Sequence, residues 1–189
     1  MMKKLLIQIM FIMIASYSSL TFSANKKNYL HLKSVETEVE MNGSKKLLEL
    51  EIKTQGKIPM DGKSGAFGYA ALTDGGNNLL VAVTHLPIDD SSYEEIPSGF
   101  HTHVLDLMAP TDACKGANFE VDLVNSKNNK AFDVNYDWSV KNNKLKIKNV
   151  PVSDLGDAGV EEVVSFKLKP VLDNSQKPTN LCIFVIDKK

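Results

Sequence analysis

Apolar and polar residues alternate with a period of two along most of the chain. Residues 35–41 read Val-Glu-Thr-Glu-Val-Glu-Met, the dipeptide Asn42-Gly43 follows, and residues 48–52 alternate again. Successive side chains of a strand point to opposite faces, and Asn-Gly is a frequent two-residue hairpin turn, so this region is predicted to form a β-hairpin. Further strands are predicted at residues 66–73, 78–86, 100–108, 118–124, 131–140, 144–150, 160–169 and 180–187.

About nine or ten short strands, with turn residues every 8 to 12 positions, are typical of an all-β domain. We expect a single Greek-key-like antiparallel β-sandwich. The one helical candidate, residues 152–162, contains Gly156 and Gly159 and is better interpreted as a loop. The predicted core consists of Leu48, Leu50, Ile52, Val81, Val83, Leu105, Leu107, Trp138, Phe166 and Val185.

The first residues have the pattern of a secretory signal peptide. Lys3 and Lys4 precede an apolar run at residues 5–15, and small or hydroxylated residues follow up to position 24. The run is shorter than the roughly 20 residues needed to cross a bilayer. We therefore predict cleavage after Ser23, a soluble single domain at residues 24–189, a periplasmic or secreted location, and no stable membrane insertion after cleavage.

Two cysteines, Cys114 and Cys182, are present in the whole chain. In an exported protein an even number of cysteines indicates a disulfide, which is the preferred interpretation. A pair of soft metal ligands is the alternative, although the two residues lack the close spacing of common zinc motifs.

All 22 basic residues are lysines, and the formal net charge is −1. Recognition of phosphate groups commonly uses the bidentate guanidinium group of arginine. The composition therefore argues against a nucleic-acid partner.

The histidines are the candidate functional residues of the chain. His101 and His103 stand two apart in the predicted strand 100–108, so they should share a face with Leu105 and Leu107. His85 ends the preceding strand on the face of Val81 and Val83, and we expect the three imidazoles to converge if the strands are neighbours.

Three neutral imidazoles can bind copper or zinc, which leads to the first hypothesis, an exported binding module that holds one transition metal ion, preferably copper, through His85, His101 and His103. His31, Met60 and Met108 are further candidate ligands.

The alternative is a metal-free envelope or secreted interaction domain, whose histidines line a ligand pocket or hydrogen-bond to loop carbonyls. A hydrolytic enzyme with His103 and Asp106 as a catalytic pair is poorly supported, because residues three apart on a strand face opposite sides. Carboxylates are numerous, but no catalytic pair can be placed.

Residues 64–108 contain a glycine-rich hairpin, the strand ending at His85, a loop, and Gly99-Phe100-His101-Thr102-His103. This order resembles the central part of chordin-type domains and of copper/zinc superoxide dismutase-like sandwiches. The resemblance implies a Greek-key sandwich with at most one metal. It does not imply dismutase activity, because the histidines after residue 23 are only His31, His85, His101 and His103.

Overall fold

The structure is a computed structural model that describes residues 27–73, 79–85 and 100–189; the side chain of His85 lies outside this description. Ten antiparallel strands fall in these ranges: β1 (Leu32–Asn42), β2 (Lys45–Thr54), β3 (Phe67–Thr73), β4 (Leu79–His85), β5 (Phe100–Met108), β6 (Phe119–Val121), β7 (Asp137–Lys141), β8 (Lys144–Pro151), β9 (Val160–Leu172) and β10 (Pro178–Lys188). One short helix, α1, spans Leu123–Asn128, and single 3₁₀ turns occur at Asn28–Leu30, Asp112–Cys114 and Val152–Leu155.

The strands form two sheets. One is a four-stranded sheet in the order β1-β2-β8-β7, and the other is a closed barrel in the order β10-β6-β5-β4-β3-β9. Two hairpins from separate parts of the chain, β1–β2 and β7–β8, therefore make the four-stranded sheet. The barrel closes because β10 pairs with β9 on one side and with the three-residue strand β6 on the other.

Two separate apolar clusters follow from the alternation of side chains. The larger joins the inner face of the four-stranded sheet, including Leu50, Ile52 and Ile147, to one face of the barrel wall. The smaller contains the alternate residues of the barrel strands, among them Leu80 and Phe166. The four-stranded sheet thus covers the outside of the barrel, and the smaller cluster fills its interior.

The all-β, antiparallel prediction is confirmed, and strand β5 has the predicted limits. The second layer, however, is a closed barrel and not an open sheet of a two-sheet sandwich. Closure depends on the pairing of β6 with β10, which alternation within a strand does not reveal. Of the predicted core, Trp138 and Val185 are partly buried and pack against the clusters, while the other members are buried.

Two predicted strands are shorter than expected. The strand predicted at 118–124 ends at Val121, and Asp122 then caps α1 by accepting hydrogen bonds from the backbone of Val124 and Asn125. The strand predicted at 131–140 begins only at Asp137. The predicted loop at 152–162 contains a single 3₁₀ turn at Val152–Leu155.

The predicted cysteine pair is present. Cys114 and Cys182 are at disulfide distance, with their Cα atoms 5.3 Å apart and a separation of 68 positions in sequence. Both are buried. The link fastens the turn before β6 to β10, the two strands whose pairing closes the barrel.

Helices in the described part of the chain are all too short or too polar to cross a membrane. The predicted signal peptide, residues 1–23, lies outside the described residues, so it stays a prediction.

Candidate functional site

His101 and His103 project into the barrel from β5. Strand register places them opposite Thr84 and Ala82 of β4, and Leu105, two residues further on, belongs to the interior cluster. Both histidines are buried, and their ring centroids are 4.7 Å apart in an edge-to-face arrangement. The prediction that they share a face with Leu105 and Leu107 is therefore confirmed.

The segment before β7 holds the His103 ring. Its Nδ1 lies 3.0 Å from the carbonyl oxygen of Phe132 and 3.7 Å from a carboxylate oxygen of Asp133. Since a carbonyl can only accept, Nδ1 carries a proton in this hydrogen bond. The side chain of Phe132 also packs on the imidazole, with centroids 5.6 Å apart.

Thr102, the residue before His103, forms hydrogen bonds with the same segment from the opposite face of β5. Its hydroxyl donates to the carbonyl of Val134 at 2.8 Å and accepts from the backbone N–H of Tyr136 at 2.8 Å. These hydrogen bonds between a side chain and the backbone stand in place of the backbone–backbone hydrogen bonds of a strand pair. They explain why the segment runs beside β5 without being a strand, although its alternating sequence predicted one.

The His101 ring has its Nε2 3.2 Å from the hydroxyl oxygen of Thr84. Either atom can donate, depending on the tautomer of the ring. This contact joins β5 to β4 at the end of the barrel where β4 finishes.

The predicted convergence of three histidines assumed that the face of Val81 and Val83 was also that of His101 and His103. The register contradicts this assumption: Val81 lies opposite Val104, and Val83 lies opposite Thr102. Both valines belong to the cluster under the four-stranded sheet. The backbone of His85 lies opposite Phe100, but its side chain lies outside the described residues, so its part in a site stays a prediction.

Within the ranges that the structure describes, no group of three or more His, Cys, Asp or Glu side chains could hold a metal ion. His31 lies instead beside Asp187, with its Nδ1 3.8 Å from a carboxylate oxygen. Met60 is 39% exposed.

A cavity of about 80 Å³ occupies the barrel next to His103. A water needs about 10 to 15 Å³ on the same measure, so the cavity has room for a ligand of several non-hydrogen atoms. Its walls are mostly apolar, and three residues, Thr84, His103 and Lys127, bring polar groups. The apolar lining consists of Leu105, Val121, Leu123, Phe132, Phe166, Leu168, Pro178, Leu181 and Ile183.

The cavity has access to solvent. Leu123, Phe132, Leu168 and Leu181 line it while remaining only half-buried, and Lys127 is exposed. Lys127 lies in the last turn of α1. A mostly apolar chamber with a few polar groups at its wall is the usual composition of a small-molecule site.

Small residues shape the wall facing the histidines. Gly68 of β3 has no room for a Cβ, which would lie 2.6 Å from Cζ of Phe166 and 2.5 Å from the carbonyl oxygen of Val83. Ala70 and Ala82 are completely buried neighbours on the same inner face. The absence of a side chain at Gly68 therefore lets the Phe166 ring approach the backbone of β3.

The cavity residues outside β5 were not identified from sequence. Thr84 could have been found, because it alternates with Leu80 and Ala82 and so belongs to their face. Phe132 and Lys127 offered no such signal, since neither belongs to a strand.

Comparison of the chain with family models, with curated proteins and with solved structures finds no match in any of the three. The resemblance to chordin-type and dismutase-like domains therefore stays a prediction.

Proposed function

We propose that this domain binds a small, mostly apolar ligand inside its barrel, with His103 as the polar contact. The supporting observation is the cavity of about 80 Å³, which combines an apolar lining with a buried imidazole. This is the ligand-pocket form of the metal-free hypothesis.

The hydrogen bond of Nδ1 to the Phe132 carbonyl holds the imidazole at the cavity wall. A ligand hydroxyl can both donate and accept a hydrogen bond, so it is the group that matches an imidazole in either protonation state. A small apolar alcohol or phenol is therefore the class of ligand that we propose.

Phenol and benzene are a suitable probe pair, because they differ by one hydroxyl. Titration calorimetry or ligand-observed NMR should find both binding to the protein, with phenol about 5- to 10-fold tighter, the value of one net hydrogen bond. His103→Leu should remove the preference for phenol and leave benzene binding nearly unchanged. No detectable binding of either probe at millimolar concentration would refute the proposal.

Blocking the cavity is the second arm of this test. Leu168→Phe should fill the cavity and abolish binding, because Leu168 lines it. Leu172→Phe is the matched control: it lies four residues further along β9, is 44% exposed and does not line the cavity. Equal binding by the two variants would place the ligand elsewhere.

A metal site is the second candidate function, favoured by the 4.7 Å separation of the His101 and His103 rings. Two imidazoles need at least one more ligand, which His85 or a residue outside the described ranges would have to supply. Elemental analysis of the untagged protein for copper and zinc tests this candidate. Replacement of His101 and His103 together by Ala should abolish metal binding, and retention of Cu²⁺ by that variant would exclude the site.

We also propose that the chain is exported to the periplasm or secreted after cleavage behind Ser23. The pairing of Cys114 with Cys182 supports an oxidising compartment. Mass spectrometry of the protein from fractionated cells should find a mature chain that begins at Ala24, lacks free thiols and is absent from the cytoplasm. A full-length chain in the cytoplasm would contradict export.

A further inference from the structure

The outer edge of the four-stranded sheet carries a second candidate site. Strand β1 pairs with β2 on one side and has no strand on its other side among the described residues. Residues 36–42 are all exposed, and none of them is a proline or a lysine. An exposed strand edge presents unpaired backbone groups, and natural edges are usually protected by proline, by charged side chains or by bulges. The charges on this edge are carboxylates, which oppose an acidic partner strand but not a basic one.

The two faces of this edge differ in chemistry. Val39 and Met41, which continue the apolar face of β1, are 56% and 63% exposed. Glu38 and Glu40 stand on the other face and form no ion pair within the described residues. Glu38 also lies directly opposite Glu49 of β2, and like charges at this position oppose each other.

The sheet itself shows what fits beside such carboxylates. On the far side of β2, strand β8 alternates lysines with the buried residues Leu145 and Ile147. Its Lys144 and Lys146 each approach Glu51 to 2.6 Å, and Lys148 approaches Glu49 to 3.1 Å. A lysine–apolar alternation therefore satisfies both faces of the neighbouring acidic strand.

We propose that the open edge of β1 accepts an extended basic segment of a partner protein as an additional strand. Lysine or arginine side chains of that segment would pair with Glu38 and Glu40, while the intervening apolar side chains cover Val39 and Met41. Backbone hydrogen bonds would supply the common part of the affinity, as in other cases of strand addition.

A second copy of this chain fits the edge less well. Antiparallel pairing of β1 with β1 would bring the carboxylates of two acidic strands together. The other edge strand, β7, contributes Asp137, Ser139 and Lys141 to the polar face, which is a weaker match than three lysines. The surface is also separate from the proposed ligand site, because no residue of the four-stranded sheet lines the barrel cavity.

The test uses a labelled peptide, acetyl-Lys-Val-Lys-Ile-Lys-Val-Lys-amide, and fluorescence anisotropy at low salt. We expect saturable binding to the parent and a loss of at least tenfold in affinity for Glu40→Lys. Glu161→Lys, which makes the same charge change at an exposed position outside the four-stranded sheet, is the matched control and should bind like the parent.

A second peptide, N-methylated at every residue, separates strand pairing from simple charge attraction. It keeps every lysine but lacks all of its backbone N–H donors, so we expect it to bind at least tenfold more weakly. Hydrogen exchange should slow at residues 36–42 on binding of the first peptide and remain unchanged at residues 137–141.

Equal binding of the two peptides, or equal effects of Glu40→Lys and Glu161→Lys, would overturn the proposal. A concentration-dependent dimer in sedimentation experiments that the peptide dissociates would instead assign the edge to a second copy of this chain.

Discussion

The first four residues of strand β3 place different kinds of side chain on the two faces of the barrel wall. On the side covered by the four-stranded sheet it places Phe67 and Tyr69, whose rings meet edge-to-face at 6.1 Å. On the side facing the interior it places Gly68 and Ala70. Over these four residues the outer face carries aromatic rings, whereas the inner face carries the two smallest residue types.

The layer under the four-stranded sheet is closely packed and stabilises the fold, whereas the barrel interior retains a cavity. Under the sheet, Tyr69, Ile52 and Ile147 are completely buried. Inside the barrel, Leu105 and Ile183 border a cavity. Close packing is the normal condition of a protein interior, so the cavity retained next to a buried histidine supports the ligand site that we propose.

The largest expected effect concerns the disulfide between Cys114 and Cys182. It joins two parts of the barrel and does not involve the four-stranded sheet. Replacement of Cys114 and Cys182 together by Ser should lower the free energy of unfolding by about 4 kcal/mol, the chain-entropy value for a loop of 68 residues. Urea unfolding measures the difference, and the reduced parent protein should match the variant. A loss below about 1 kcal/mol would mean that the link contributes little to barrel closure.

Truncation on the two faces of the wall tests the comparison directly. Ile147→Ala, in the fully buried layer under the sheet, should cost about 3 to 4 kcal/mol. Leu105→Ala removes a side chain of similar size that borders the cavity, and should cost only about 2 kcal/mol because fewer contacts are lost. Thermal and urea unfolding give both values. An equal or larger loss at Leu105 would show that the interior is packed as tightly as the outer layer.

The smallest expected effect is the pH dependence of stability that arises from the ion pairs of Glu51, on the polar face of the four-stranded sheet. Hydrogen bonds from Lys144 and Lys146 lower the pKa of Glu51 from its ordinary value of 4.5 to about 2. Its contribution to stability is therefore fully present above pH 4.5 and is lost as the pH falls toward 2. Glu51→Gln should lower the free energy of unfolding by about 1 kcal/mol at neutral pH.

The same variant supplies its own check at acid pH. The difference between Glu51→Gln and the parent should shrink steadily below pH 4.5 and disappear near pH 2. A difference independent of pH over this range would mean that the carboxylate charge is not what stabilises the sheet.

Alternation predicted the strands well because it depends only on neighbouring residues. Strand β5 and the β1–β2 hairpin have their expected positions, and the shared face of His101 and His103 follows from their spacing. Alternation fails where side chains take over backbone hydrogen bonds. Thr102 and His103 bind the segment that was predicted to be a strand, so the ladder stops there.

The site was harder to predict, because it depends on which strands meet. Val81 and His103 each lie on an apolar face, and the sequence alone does not show that these faces are opposite sides of one wall. Phe132 and Phe166 reach the cavity through long-range contacts that no local pattern encodes. The cysteine pair could be predicted from the sequence, since two cysteines allow a single intramolecular pairing.

Strand β10 has one more consequence, for the order of folding. It lies between β6 and β9, so the barrel can close only after residues 178–188 have left the ribosome. Contacts between segments so distant in sequence raise the contact order and slow folding, on the order of milliseconds to seconds for comparable β-domains. Until that step β6 and β9 each keep an unpaired edge, and such edges can pair with the strands of other chains.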